Sequence, residues 1–168
     1  STVTLRDLTI RHGKLESFQG KGAGIYNQGT LTLLRCRVDD NLMHDEAFSA
    51  HGGALYNEGT LTIDTCRFKG NINDAGSGLG GAIFNKGSGV LTISNSLFWQ
   101  NEIQGSSNKG GAIYANGTTT ITNTTFYQNR APNFGGQGAA IFANSGTMII
   151  NHSTIANNTA TGFSANAG

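Results

Sequence analysis

A pattern of glycine, apolar and asparagine residues returns every 30 or 28 residues from one end of this chain to the other. Its clearest copy runs Gly52-Gly53-Ala54-Leu55-Tyr56-Asn57-Glu58-Gly59-Thr60-Leu61-Thr62-Ile63 and continues Asp64-Thr65-Cys66-Arg67-Phe68-Lys69-Gly70-Asn71. Aligned on the aliphatic residue before the aromatic, the copies begin at Ile25, Leu55, Ile83, Ile113 and Ile141, and the N-terminus joins halfway through a copy with Leu5, Ile10 and Gly13. A fixed period in this range is the signature of stacked repeats. Inside each copy the apolar residues alternate, as in Leu61 and Ile63 or Cys66 and Phe68, which is the strand period, and no window sustains a helical pattern. Short strands on one period, with no helix to cover a flat sheet, predict an all-β parallel β-helix solenoid of nearly six coils of about 28–30 residues. Each coil is expected to be triangular, its strands stacked in parallel on the next coil about 4.8 Å away. No boundary interrupts the repeat, so residues 1–168 read as a single domain.

The pairing of Gly-Gly-Ala-Ile/Leu-Tyr/Phe-Asn with Phe-x-x-Asn resembles the repeat of bacterial polymorphic outer membrane proteins and related surface proteins with right-handed β-helix passengers. Both halves are intact at Gly52 to Asn57 with Phe68 to Asn71, and at Gly80 to Asn85 with Phe98 to Asn101. Other copies depart from it, with Val38 for Phe, Ala115 for Asn, and Ala143 and Ile155 in the last copy. The resemblance implies a right-handed solenoid at the cell surface or outside the cell. It fixes no activity, because the same fold carries polysaccharide lyases, glycosidases, adhesins and ice binders.

Charge excludes some partners. Only 12% of residues are charged and the net charge is +1, which leaves no electrostatic footprint for nucleic acid or an anionic membrane. No apolar run is long enough to insert in a membrane. All ten acidic residues lie at or before Glu102, and only Lys109 and Arg130 carry charge after it. The 25 glycines fall mostly at repeat corners and read as turn residues. The next Gly-Gly-Ala would begin around Ala167-Gly168, so the chain reads as a segment of a longer one or as a subunit of a stacking fibre whose partner is itself.

Stacking converts each repeat position into a ladder. If Leu31, Leu33 and their equivalents face the core, alternation turns out Thr2 and Thr4, Thr30 and Thr32, Thr60 and Thr62, Val90 and Thr92, Thr118 and Thr120, and Thr147 and Ile149. This Thr-x-Thr face resembles the ice-binding face of solenoid antifreeze proteins, and threonine also suits any exposed strand. Cys36 and Cys66 share one position with Ser96, Thr124 and Ser153, which is met by a buried ladder of thiols and hydroxyls or by a disulfide. Asn41, Asn71, Asn101, Asn129 and Asn158 close one corner as a structural amide ladder, with asparagine suited to a left-handed turn. The aromatic series Tyr26, Tyr56, Phe84, Tyr114 and Phe142 is either core or an external partner stripe. Trp99 beside Tyr127 adds two aromatics at an outward position able to stack on a sugar ring or another protein.

Acid–base candidates are Asp39, Asp40, His44, Asp45, Glu46, His51, Asp64 and Asp74, but their repeat positions place them on outward strands and corners, where solvated surface is the expected role. The connecting stretches Leu42 to His51, Ile72 to Leu79, Glu102 to Lys109 and Arg130 to Gln137 are short and uniform, which argues against a catalytic cleft. No zinc signature, phosphate loop, nucleophile elbow or calcium nonapeptide is present, so no cofactor or metal is expected. Sequons begin at Asn116, Asn123, Asn151 and Asn157. The sequence therefore points to a non-enzymatic, extracellular structural or adhesive solenoid. Two alternatives stand beside it: ice- or flat-surface binding through the Thr face, and a carbohydrate-active β-helix fragment. Partners follow suit: self by coaxial or lateral stacking, then a host surface or glycan.

Overall fold

The computed structural model describes residues 1–45, 49–106, 108–133 and 135–161. Glu46 and the expected restart at Ala167-Gly168 lie outside them. The described chain is a parallel β-solenoid, with no helix among the described residues.

Its strands stack into four sheets, one more than the triangular coil expected. Sheet A holds Thr2–Arg6, Thr30–Leu34, Thr60–Asp64, Val90–Ser94, Thr118–Thr122 and Met148–Asn151. Sheet B holds Thr9–Arg11, Arg37–Asp39, Arg67–Lys69, Leu97–Trp99, Thr125–Tyr127 and Thr154–Ala156. Sheet C holds Lys14–Glu16, Leu42–Asp45, Ile72–Ala75, Glu102–Ile103, Arg130–Ala131 and Thr159–Ala160, and sheet D holds Ile25–Asn27, Leu55–Asn57, Ile83–Asn85, Ile113–Ala115 and Ile141–Ala143. Every pairing is parallel and in register, so Thr32 faces Thr62 and Thr62 faces Thr92. Sheet C occupies the start of each stretch read from sequence as a connecting loop. Its inward column of Met43, Asn73, Ile103 and Ala131 mixes polar and apolar residues, so it shows no clean alternation.

The core is what the alternation requires. Leu31, Leu33, Leu61, Ile63, Leu91 and Ile93 point in from sheet A and Leu55, Ile83 and Ile113 from sheet D. The rings of Phe68, Phe98 and Phe126 stack between coils with centroids 4.8 and 4.9 Å apart. Thr119 replaces the inward leucine of sheet A and is fully buried, and its hydroxyl accepts a hydrogen bond from Asn85 Nδ2 at 3.1 Å. A buried hydroxyl with such a partner escapes most of its desolvation cost.

Two corners set the shape. Between sheets A and B the residues Asp7, Arg35, Thr65, Asn95, Asn123 and His152 all take positive φ near +50°. Between sheets B and C the left-handed residue is Asp40, Gly70, Gln100, Gln128 or Asn157, the one before each ladder asparagine. This corrects the expectation that the asparagine itself supplies the left-handed turn. Its side chain is instead spent along the stack: Asn41, Asn71, Asn101 and Asn129 each donate from Nδ2 to Oδ1 of the next asparagine at 2.9–3.0 Å, ending on Asn158. A parallel sheet pairs only backbone groups, so this amide chain adds charge-free hydrogen bonds at a corner where the turn leaves a backbone N–H without a backbone partner.

At the junction of sheets C and D the first glycine of each Gly-Gly pair has positive φ, +73° at Gly80. The second is fixed by contact: a Cβ on Gly81 would lie 1.9 Å from the carbonyl oxygen of Gly111 in the next coil.

Candidate functional site

No single cleft dominates, and the surfaces available for function are the outward faces of the sheets and the corner grooves between them. Sheet A has the longest strands, five of its six being five residues long. Its two outward columns read Thr2, Thr30, Thr60, Val90 and Thr118 and, two residues along the same strands, Thr4, Thr32, Thr62, Thr92, Thr120 and, on the last strand, Ile149. Each of these side chains is β-branched and presents a methyl group, and most add a hydroxyl.

The groove at the corner of sheets A and B has a volume of about 660 Å³ and is lined by Arg35, Arg37 and Arg67 low down and by Asn95, Ser96, Leu97, Asn123 and Thr125 above. Cys36 and Cys66 lie at its floor, and both thiols are free. They form the thiol and hydroxyl ladder rather than the disulfide: Cys36 N donates to Cys66 Sγ at 3.3 Å, Cys66 N to Ser96 Oγ at 3.0 Å and Thr124 N to Ser153 Oγ at 3.2 Å. Burial pushes the Cys66 thiol up to about 11, so little thiolate exists at neutral pH. A thiol titration with a disulfide reagent checks this arrangement. The native protein is expected to react only slowly and the unfolded protein to release two thiols; a count of zero after unfolding would mean that the cysteines had paired.

The second corner groove, between sheets B and C, is lined by Gln100, Glu102, Gln128, Arg130, Asn157 and Thr159. Beside it Trp99 and Tyr127 face each other on adjacent strands, both half-buried. Trp99 Nε1 donates to Gln128 Oε1 at 3.1 Å, and the Lys69 ammonium sits 4.7 Å from the Trp99 ring centre. These contacts occupy the indole edge and part of its face.

The partner stripe expected over sheet D is mostly not a surface. Tyr56, Phe84 and Tyr114 point away from the main core but pack on one another, with Phe142 and Leu79, into a second apolar cluster. A row of single-residue bridges, Lys21, His51, Leu79, Lys109 and Gln137, covers them, and His51 stacks on Phe84 at 4.7 Å. Only Tyr26 keeps a large exposed fraction, 42%. The covering residues each precede the glycine that opens a copy, Gly22, Gly52, Gly80, Gly110 or Gly138, but they share no chemistry, so the sequence gives no signal of the row.

Two further features escaped the sequence reading. Asn27, Asn57 and Asn85 form a second amide ladder, with Nδ2 to Oδ1 distances of 2.7 and 2.8 Å, and it stops where Ala115 replaces the motif asparagine. The signal was present in the asparagine that ends each intact Gly-Gly-Ala motif. Glu58 is the other: its carboxylate accepts from Lys86 Nζ at 3.0 Å, Gln28 Nε2 at 3.2 Å, Tyr26 Oη at 2.9 Å and Lys21 Nζ at 3.2 Å. The Lys86 hydrogen bond leads the donors that hold its acid dissociation down at about 2. Because the folded value is depressed below the ordinary 4.5, its stabilisation is full above pH 4.5 and is lost as pH falls toward 2. Glu58→Gln is therefore expected to lower the melting temperature at pH 7 and to narrow its gap to wild type at pH 2 to 3; a gap that does not change with pH would contradict the clasp.

A family model described as a right-handed beta helix region matches residues 1–168. The chain belongs to the right-handed β-helix family. No curated protein and no solved structure matches it. On this β-helix the acid–base candidates are spread over sheets A, B and C and their corners, and only His44, Asp45 and Asp74 share a sheet among the described residues. Asp39, expected on solvated surface, is buried on sheet B and paired with Arg67 through Arg67 Nη2 and Nε. Asp64 on sheet A accepts from Ser94 Oγ and Asn95 Nδ2, both at 2.7 Å, and these bonds hold its carboxyl below the usual range. Asp74 on sheet C meets His44 Nδ1 at 3.1 Å, Asp45 Oδ2 accepts from Gln19 N at 3.3 Å, and Asp40 is exposed at a corner. His51 is desolvated among aromatics, which lowers its basicity. The described residues hold no group of three or more histidine, cysteine or acidic side chains placed to bind a metal.

Proposed function

We propose that this β-helix is an extracellular structural or adhesive solenoid, a rigid stalk segment or filament subunit that acts through its repeated lateral faces and associates with itself. The observation that carries the reading is the unbroken register of every outward column over successive coils. What repeats is a surface, while neither corner groove gathers a converging set of reactive groups. The intact Gly-Gly-Ala and Phe-x-x-Asn motifs, similar to those of polymorphic outer membrane proteins, support the cell-surface setting. Self-association through the repeated lateral faces is the part of the reading most open to a direct test. Light scattering of the purified chain over a concentration series tests it. The expected mass rises well above the 17.6 kDa of one chain, and a mass that stays there at every concentration would overturn self-association.

A second reading uses the methyl-and-hydroxyl grid of sheet A to bind ice or another flat ordered surface. The uniform β-branching of both columns favours it. Thr30→Tyr with Thr62→Tyr leaves stability within about 1 kcal/mol, since both side chains face outward, Thr30 exposed and Thr62 half-buried, and abolishes ice shaping. Wild-type protein that fails to shape growing ice would end this reading.

A further inference from the structure

The lower half of sheet B follows a pairing rule that breaks at one place. On the diagonal between neighbouring coils Arg67 takes the carboxylate of Asp39, and at the corner beside it Arg35 takes Asp7 through Nε and Nη2 at 2.6 and 2.8 Å. One coil lower the same diagonal joins Arg37 to the register partner of Asp39, and that residue is Arg11. Arg11 and Arg37 are both exposed, and neither makes an ion pair or a side-chain hydrogen bond among the described residues. Asp40 lies at the far corner of the sheet, its carboxylate against Gly70. Two guanidiniums thus stand where the next coil up holds an ion pair, and the partner they lack is an anion from outside the chain.

Arg37 also lines the groove between sheets A and B, and that groove runs along the solenoid axis. One wall is the in-register column Arg37, Arg67, Leu97 and Thr125, so it crosses four coils. No carboxylate lines it. Its lower end is guanidinium, while its upper end offers neutral hydrogen-bonding groups. Asn123 there is exposed, and with its Nδ2 donated to Asn95 Oδ1 at 2.7 Å its own amide oxygen has no donor among the described residues. Every strand of the Arg37 wall is paired on both sides, so a peptide cannot enter as an added strand. An extended acidic peptide would also turn a side chain toward the groove only about every 7 Å, out of step with coils about 4.8 Å apart. A pyranose chain advances by about one coil per unit. It presents hydroxyls and, in uronates or sulfated sugars, an oxyanion that the guanidinium fork grips with two hydrogen bonds. We propose that this groove, with the Arg11 and Arg37 diagonal at its foot, binds an acidic polysaccharide laid along the axis. This rests on the adhesive reading above and names its ligand class.

Titration calorimetry of the whole chain tests this at about 100 mM salt, where charges are screened over about 10 Å. The probes are oligosaccharides of polygalacturonate and of heparin, with dextran and polyglutamate of matched length as controls. Wild type is expected to bind at least one of the two acidic sugars at least tenfold more tightly than either control, and which one it prefers says whether the groove takes carboxylate or sulfate. Arg11→Gln with Arg37→Gln is expected to weaken that binding at least tenfold without moving the melting temperature, and Arg11→Lys with Arg37→Lys to recover only part of it, because an ammonium lacks the fork. Lys14→Gln with Lys109→Gln removes two positive charges elsewhere and is expected to leave binding within about twofold of wild type. Equal loss in the two glutamine variants, or polyglutamate bound as tightly as the sugars, would overturn the site in favour of unspecific charge attraction. No binding of either sugar would overturn it outright. Light scattering of the same samples judges self-association separately, so a failed site and a failed filament reading give different results.

Discussion

Asn101→Ala is expected to lower stability by about 3–5 kcal/mol, equivalent to a fall in melting temperature on the order of 10 °C for a chain this long. Asn101 is fully buried, and its Nδ2 donates to Phe68 O and to Asn129 Oδ1, both at 3.0 Å. Its Oδ1 accepts from Asn71 N at 3.1 Å and from Asn71 Nδ2 at 2.9 Å. Alanine keeps the backbone and removes all four bonds at once. The cost is large because the groups left without Asn101 Oδ1, Asn71 N first among them, stay sealed from water. The exposed Asn144, whose Nδ2 bonds Asn116 Oδ1 at 2.9 Å, is the control. Asn144→Ala should change stability by about 0.5 kcal/mol or less, since water replaces the lost partner. Thermal melts followed by circular dichroism separate the two, and equal melting temperatures would mean that the ladder does not hold the corner.

Gly81→Ala is expected to be more severe still, with loss of about 4 kcal/mol or more and little soluble protein. The added methyl would meet Gly111 O at 1.9 Å and the Glu102 carbonyl carbon and oxygen at 2.7 Å, all backbone atoms of the next coil. No rotamer relieves such a contact, so relief requires separating two coils that share four ladders. At Gly87 the nearest atom to an added Cβ is Asn116 Nδ2 at 3.6 Å, an ordinary contact. Gly87→Ala should therefore fold normally, within about 1 kcal/mol of wild type. If Gly81→Ala expresses and melts like Gly87→Ala, the coils are not stacked at this spacing.

These two residues also show what was legible in the sequence. The period fixed the register, because stacking like on like is the only way for Leu31, Leu61 and Leu91 to share a core with Phe68, Phe98 and Phe126. The Asn71 ladder was legible for the same reason. Sheet C was not, because its strands are two to four residues long and their inward positions vary from Met43 to Asn73 to Ala131. Such strands are held by the ladders on either side rather than by their own alternation. The fate of the aromatic stripe was hidden for a related reason: what covers Tyr56 and Phe84 is a row of unlike residues, His51 and Leu79 included, whose common property is position. The charge pattern was visible as a gradient, yet the pairing of Arg67 with Asp39 emerges only once the coils are stacked, since 28 residues separate the two in sequence.

On the reading proposed above, the outward columns that this β-helix carries in register from coil to coil are what functions. Electron microscopy of the purified protein over a concentration series tests the claim most directly. The reading predicts unbranched fibres or rafts of aligned rods whose abundance grows with concentration. Isolated short rods at every concentration, about 25–30 Å long as nearly six coils at 4.8 Å require, would contradict it.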